Sequence, residues 1–533
     1  MAKTLLISNN IFDGRSKAPF SGGILIEGDK IIGILSRYEA EKAKTNVDII
    51  KDYGQKLITP GFIDSHIHVG WTMDILDETY AIDLTDTSCK EDVMEHLITF
   101  RKNNPDCKVV YGVNFNLFSM QDNFVPTAAD FDKFFPDIPV AIVTWELHTW
   151  YTNSAFMKMA GIDDNTPDPM NGMIRDASGH LTGGFNDSVA FAFPELIKRP
   201  LMEREGALIH FNDELNRYGI TSIGEVYPYG PDEPYPLYKK VEENGKLTVR
   251  YTIYPPLLDT ADESITAFQK DYCSPMLQFG GLKCLLDGVI GVHTAWMKEP
   301  YTDAPDTKGF PAVDTNAVRI KMLNAHSKGI ACRIHAIGDQ AIHFVLDLYE
   351  EAEKTYGKIP KHHCIEHLEY IDDDDLEKIG QLNMVAAMQG RHITFYVDDD
   401  AKNIVGPERE KLAFRWRDVL DVGGTIGSGS DFSVVHFSPF RGIYAAVTRC
   451  VEDGHPEGGW LPEQCVTLPE ALTAYTYGAA AALNREHEIG SLEVGKYADI
   501  CVLDHDLFSI PPKEILNTMP EMTMVGGNIV FEK

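Results

Sequence analysis

The sequence predicts an α/β protein: a (β/α)8 TIM barrel, a small β-sandwich domain built from both chain termini, and a large insertion after the first barrel strand. Three observations predict it. Eight strand-like apolar runs recur between residues 61 and 433, amphipathic stretches separate most of them, and β-rich segments stand at both ends of the chain. Strands alternating with helices give a parallel sheet, and eight such units close a barrel.

Residues 1–59 carry TLLISNNIFDG and GGILIEGDKIIGIL, apolar or alternating runs broken by Asn-Asn and Gly-Asp turn signals. The stretch 489–533 has the same character, with G-S-L-E-V-G-K-Y-A-D-I-C-V-L-D and M-T-M-V-G-G-N-I-V-F-E. Neither has enough strands to bury both faces alone, so the two are expected to pair into one sandwich. Residues 60–488 form the barrel domain. Its strands are the run ending in His66 and His68, then GITSIGEV (219–226), LTVRYTIY (247–254), GGLKCLLDG (280–288), GIACRIHAIGD (329–339), HHCIEHLEY (362–370), NMVAAMQG (383–390) and GGTIGSGSDFS (423–433). The helices between them include TNAVRIKMLNAHSK and DQAIHFVLDLYEEAEK, several closed by a glycine before the next strand. The first and second strands are far more widely separated than a βα loop requires. The segment at about 72–200 is therefore an insertion on the active face, expected to cap the pocket.

Composition excludes several classes of function. The 533 residues carry 48 basic and 80 acidic side chains, a net charge of −32, which argues against nucleic acid or an anionic membrane as partner. The longest apolar runs, such as Pro139 to Trp145, are too short to span a bilayer, and the N-terminus lacks the pattern of a secretory signal. A cytoplasmic location follows. Nine scattered cysteines without a C-x-x-C pair read as reduced thiols. A homodimer is the expected assembly on general grounds.

The chemistry centres on Ile58 to Gly70, which reads I-T-P-G-F-I-D-S-H-I-H-V-G. Residues two apart on a strand share a face, so His66 and His68 can converge on one ion. Alone, such a pair can equally be two polar residues at a strand end. Here, Lys283, His335, His367 and Asp431 follow at the ends of later strands, and in a barrel those ends meet around one mouth. Imidazole and carboxylate suit zinc and other divalent first-row metals, whereas an ammonium cannot ligate a cation.

The set P-G-F-I-D-S-H-I-H, the strand-four lysine, H-A-I-G-D, I-E-H and G-S-D resembles the amidohydrolase superfamily. G-L-K-C-L-L-D-G, R-I-H-A-I-G-D-Q-A, A-Y-T-Y-G-A-A, the tail G-S-L-E-V-G-K-Y-A-D and T-P-D-P-M-N-G-M-I-R-D resemble its branch typified by N-substituted formamide deformylases. The resemblance implies two divalent metal ions, zinc foremost, bridged by a carbon dioxide-derived carbamate on Lys283. It implies that His66 and His68 hold one ion and His335 and His367 the other. Asp431 would ligate the first and act as the catalytic proton carrier. A metal-activated hydroxide, available because bound water has its pKa lowered to roughly 7, would hydrolyse a C–N bond of a small amide, N-formyl or N-acyl substrate. Two departures bear on the substrate: His362 and Cys364 stand where the branch has arginines, and Asp187 stands where it has glutamate.

Other residues have open readings. His148 and Trp145 in the insertion, and His392 and His436 after strands seven and eight, are candidates for substrate contact. Trp150 and Tyr151 fit either a pocket or a core. Lys283 can alternatively pair with Asp287, itself read as a turn residue. His326 suits the end of a helix dipole, His343 a helix face, Asp372 to Asp375 a helix start, and Asp398 to Asp400 a solvated loop. Two rival functions remain: a mononuclear deaminase of the same fold, typically with glutamate where this chain has Gly338, and a non-catalytic binding barrel.

Overall fold

The computed structural model describes the chain except residues 1, 146–148, 169–171, 191, 198, 227–233 and 398–399, and the side chains of residues 118, 187, 188, 202 and 400. It divides into two compact units, one of Met1–His68, Asn212–Phe432 and His436–Lys533, the other of Val69–Phe211 with Ser433–Val435.

In the first unit eight parallel strands occupy the eight predicted runs: β1 (Phe62–Ile67), β2 (Ile220–Val226), β3 (Arg250–Tyr254), β4 (Gly281–Leu285), β5 (Ala331–Ala336), β6 (His363–His367), β7 (Met384–Met388) and β8 (Ile426–Ser428). Nearly every residue in them is buried, on both faces, and the polar ones such as His66, Arg333 and Glu366 are buried with the apolar. The ladder does not close into one barrel. β1, β2 and β3, with Leu277–Phe279, form one sheet, and β4 to β8 form another.

Both breaks have a local cause. After β3 comes Pro255-Pro256, and proline has no N–H for a ladder; on this side the sheets are joined by Lys283 N donating to Pro255 O (2.9 Å) and Leu257 N to Lys283 O (2.6 Å). At β1, the Asp64 carboxylate takes the amides of His66 (3.2 Å) and Ser430 (2.9 Å), in place of main-chain carbonyls. Asp431 N then donates to His66 O (2.7 Å) and His68 N to Phe432 O (3.3 Å).

The predicted helices appear at Thr315–Ser327 and Asp339–Tyr356, followed by Gly329 and Gly357 with φ of 72° and 83°, positive values that glycine adopts without a Cβ clash. The two termini pair: Ile500–Leu503 runs antiparallel to Leu57–Pro60 within a single eight-stranded sheet that also holds Lys3–Ile11, Phe20–Glu27 and Lys30–Ser36. Leu6, Ile24 and Ile58 from one end of the chain and Ile500, Val502 and Met522 from the other share one core. The hydrogen bonding is thus one continuous mixed sheet.

The second unit is built on a six-stranded mixed sheet from Ile82–Asp83 to Met173–Arg175. Trp150 and Tyr151 are buried in its cores, Trp150 stacked on Tyr111 (5.5 Å, 18°), so their packing reading holds. Asn153 is a structural pin. Its Oδ1 accepts from Val140 N and Phe156 N, both 2.9 Å, and its Nδ2 donates to Phe135 O and Ile138 O, both 2.8 Å. Among the described residues no helix is long and apolar enough to cross a membrane.

Candidate metal centre

The C-terminal ends of β1, β5 and β6 and the turn after β8 bring His66, His335, His367 and Asp431 together. His66, His367 and Asp431 each offer a ligand atom, all within 4.8 Å of one another. His68 Nε2 lies 2.9 Å from Asp431 Oδ1 and His66 Nε2 3.4 Å from the same oxygen. The His335 and His367 rings meet edge to face at 4.4 Å. Two residues are turned by the left-handed region, His367 at φ 73° and Asp431 at φ 60°. For non-glycine side chains that conformation is uncommon and concentrates at functional sites.

Buried neighbours fix the orientation of three imidazoles. His66 Nδ1 donates to Glu366, which leaves Nε2 as the nitrogen facing the cluster, 3.4 Å from Asp431 Oδ1. His367 Nδ1 donates to Gln389 Oε1 (2.8 Å), and Gln389 is oriented by its own Nε2 donating to Ala387 O (3.3 Å). His335 Nε2 donates to Gly288 O (3.2 Å), which leaves Nδ1 as its free nitrogen. A metal-binding imidazole must be neutral, and burial supplies that. It pulls His335 down to about 3, with the Lys283 cation adding to the effect, and holds His66 and His367 low as well.

The acids divide into two kinds. Burial disfavours charge on Asp431 and Glu366, but His66 beside the first and Arg333 beside the second hold both well below the usual carboxylate range. Arg333 grips Glu366 through Nε (2.6 Å) and Nη2 (3.1 Å). Asp64 and Asp287 are instead pushed up to about 7 by burial, and each accepts backbone amides; Asp287 takes those of Trp296, Ile337 and Gly338. Asp287 is therefore a loop clasp, not a partner for Lys283.

Lys283 is 2% exposed, and its Nζ has no hydrogen-bond partner among the described residues. Burial lowers its pKa to about 8. A buried ammonium without acceptors is costly, so burial favours the neutral amine at this position. The donor set also fits a divalent ion: neutral imidazoles with their second nitrogens committed, and an ionised carboxylate between them.

The remaining candidates separate. His392 is buried and stacks on His367 (5.8 Å, 10°), its Nε2 3.8 Å from Asp431 Oδ2. His436 packs against Tyr218 (5.1 Å) and Phe437 (4.5 Å) and accepts Ser438 N. Trp145 stands half-buried in the second unit, its amide donating to Phe115 O. His148, Asp398 and Asp399 lie outside the described residues, as do the side chains of Asp187 and Asp400. His326 does more than meet a helix dipole: its Nδ1 pairs with His363 Nε2 (2.9 Å) and its Nε2 with Gly357 O (2.8 Å). His343 lies on its helix face and pairs with Asp375. Glu366, Asp64, Gln389 and Glu369 were not singled out by the sequence reading, although the first two lie inside the I-E-H and F-I-D-S-H motifs.

The sequence profile of the amidohydrolase family matches residues 51–531. The chain is 28% identical to the putative amidohydrolase YtcJ of Bacillus subtilis, over 97% of this chain and 100% of that one. It is 25% identical to the N-substituted formamide deformylase of Arthrobacter pascens, over 100% and 99%. Among solved structures, an uncharacterized metal-dependent hydrolase from Pyrococcus furiosus superposes with a TM-score of 0.76 at 24% identity, covering 95% of this chain and 99% of that one. At that identity the likeness concerns the fold.

Proposed function

This chain belongs to the amidohydrolase family, whose members are metal-dependent hydrolases, and from that premise we propose that it hydrolyses the C–N bond of a small N-formyl or N-acyl amine. The observation that carries the reading is the buried Lys283 amine, without a hydrogen-bond partner among the described residues, near the His66, His367 and Asp431 cluster. We assign His66, His68 and Asp431 to one divalent ion and His335 and His367 to a second, with zinc expected first because the donors are imidazole and carboxylate. Lys283 would stand between them as a carbamate, formed when its neutral amine adds to carbon dioxide and releases one proton. Ions held there would polarise a carbonyl and make water nucleophilic at neutral pH.

The chain's own residues supply the rest. Glu366 and Gln389 hold His66 and His367 in the ligating tautomer. Asp431, kept ionised in a buried setting, takes the proton of the attacking water and delivers it to the departing nitrogen. In this reading the two parallel sheets are the halves of one (β/α)8 barrel, whose C-terminal strand ends carry the chemistry.

A mononuclear deaminase is disfavoured by Gly338. A Cβ there would lie 2.1 Å from Trp296 O, so the backbone has no room for the glutamate that such enzymes place at this position. The non-catalytic reading leaves the solitary Lys283 unexplained.

The N-formyl preference rests on similarity to the Arthrobacter pascens enzyme. It is tested by following formate and amine release from N-substituted formamides and N-acyl amines. Release should stop with a chelator and return with zinc. A fully zinc-loaded protein that cleaves none of them would sink the assignment.

A further inference from the structure

We propose that His392 and Glu369 are positioning residues that fix the second oxygen of Asp431, and so decide where its proton-carrying lone pair points; the proposal rests on the reading of Asp431 as the proton carrier. Asp431 Oδ1 is engaged on the ligand side, by His68 Nε2 at 2.9 Å and His66 Nε2 at 3.4 Å. Among the described residues two nitrogens lie near Oδ2. One is His367 Nδ1 at 3.9 Å, already committed to Gln389 at 2.8 Å. The other is His392 Nε2 at 3.8 Å, which is buried and has no hydrogen-bond partner among the described residues. His392 is thus the group available to steer Oδ2.

The ring is held for that task from three sides. It lies parallel to His367, 5.8 Å away at 10°, and against Phe395 at 5.5 Å. Its Nδ1 faces Glu369 Oε1 at 3.5 Å. Glu369 is itself pinned, because Tyr396 donates its hydroxyl to Oε2 (2.9 Å) and Phe414 N donates to the Glu369 carbonyl (2.6 Å). Whichever ring nitrogen carries the proton, His392 spans two carboxylates, Asp431 and Glu369.

The turn that holds it, Gly390–Phe395, is seated closely: a Cβ on Gly390 would lie 2.6 Å from Gly442 O, so only glycine lets the turn reach that depth. β7 supplies no ligand, yet its end supplies Gln389 to orient His367 and His392 to orient Asp431. Outer partners of this kind tune a site strongly. This placement assigns His392 to Asp431, in place of the direct substrate contact read from sequence.

The test uses the full chain loaded with cobalt(II), comparing wild type, His392→Ala and Glu369→Gln. Bound cobalt per chain and the visible spectrum are recorded first, with a thermal melt to show that each variant is folded. We expect unchanged cobalt content and a shifted visible spectrum in both variants, because the Asp431 carboxylate turns. With N-benzylformamide as probe, kcat should fall about 10–100-fold at unchanged KM.

Glu369→Gln keeps the shape of the side chain and decides the matter if His392→Ala does not fold. A spectrum identical to wild type overturns the proposal. Loss of cobalt overturns it by making His392 a ligand, and a raised KM at unchanged kcat overturns it by making His392 a substrate contact. If wild type cleaves no amide, the hydrolase reading falls, and the spectrum still judges the positioning pair.

Discussion

Replacing Glu366 by glutamine should cost both stability and metal affinity, and a second substitution should restore only the first. Glu366 is fully buried and serves two partners, Arg333 through Nε at 2.6 Å and Nη2 at 3.1 Å, and His66 through Nδ1. Without its charge, Arg333 stays buried with the Ala482 carbonyl at 3.4 Å and the Tyr254 ring at 4.6 Å, neither of them a counter-ion. Removing one partner of a buried pair costs about 3–5 kcal/mol, whereas replacing both by apolar groups of similar volume is near neutral.

The expected outcome for Glu366→Gln is therefore a loss of about 3–5 kcal/mol in urea unfolding, at unchanged dependence on urea. The double variant Arg333→Met with Glu366→Leu should recover most of it. It offers no acceptor to His66 Nδ1, so its zinc affinity, read by competition with a chromophoric chelator, should remain about 10–100-fold weak. A cost below about 1 kcal/mol for Glu366→Gln, the range of an exposed pair, would show that Arg333 does not depend on this carboxylate. Zinc binding like wild type in the double variant would show the same of His66.

Three further outcomes are expected. Gln389→Ala should weaken zinc binding about 10–100-fold in the same competition assay, since His367 Nδ1 loses the acceptor that fixes its tautomer. Asn153→Ala should cost at least about 2 kcal/mol in chemical unfolding, because it orphans two buried amides and the buried Phe135 carbonyl, together with the partly buried carbonyl of Ile138. Glu470 tests pH dependence: burial works against its charge, but Arg417, at 2.9 Å from both carboxylate oxygens, and the Thr467 amide and hydroxyl at 2.7 Å hold it down to about 2. A depressed carboxyl stabilises above its unfolded value of 4.5 and loses that contribution as pH falls through about 2, so the gap in Tm between wild type and Glu470→Gln should close over that window.

The positions of the eight strands were legible because each is a short, almost wholly buried run, and β propensity and burial agree there. Their pairing was less so. The breaks at Pro255-Pro256 and at Asp64 come from a missing N–H and from a carboxylate standing in for a carbonyl, and a pattern of apolar residues carries neither. The same limit applies within the site. Strand alternation suggested His66 and His68 as a pair, yet β1 ends at Ile67 and its pairing with β2 carries two register shifts, so their approach to Asp431 owes as much to the irregular strand end as to alternation. Alternation would put Glu366 and His367 on opposite faces, yet both serve the site because His367 and Leu368 take φ of 73° and 48° and turn the strand end. Gln389 and Glu369 left no spacing signal, since an outer partner is defined by the ring that it touches in space.

The most direct measurement is metal content per chain by plasma mass spectrometry, on wild type and Lys283→Ala prepared with bicarbonate. Wild type should carry about two ions per chain and the variant clearly fewer, as a shared bridge between two metals requires. One ion per chain in both proteins would contradict this, because Lys283 would then be no bridge and the buried amine would need another explanation.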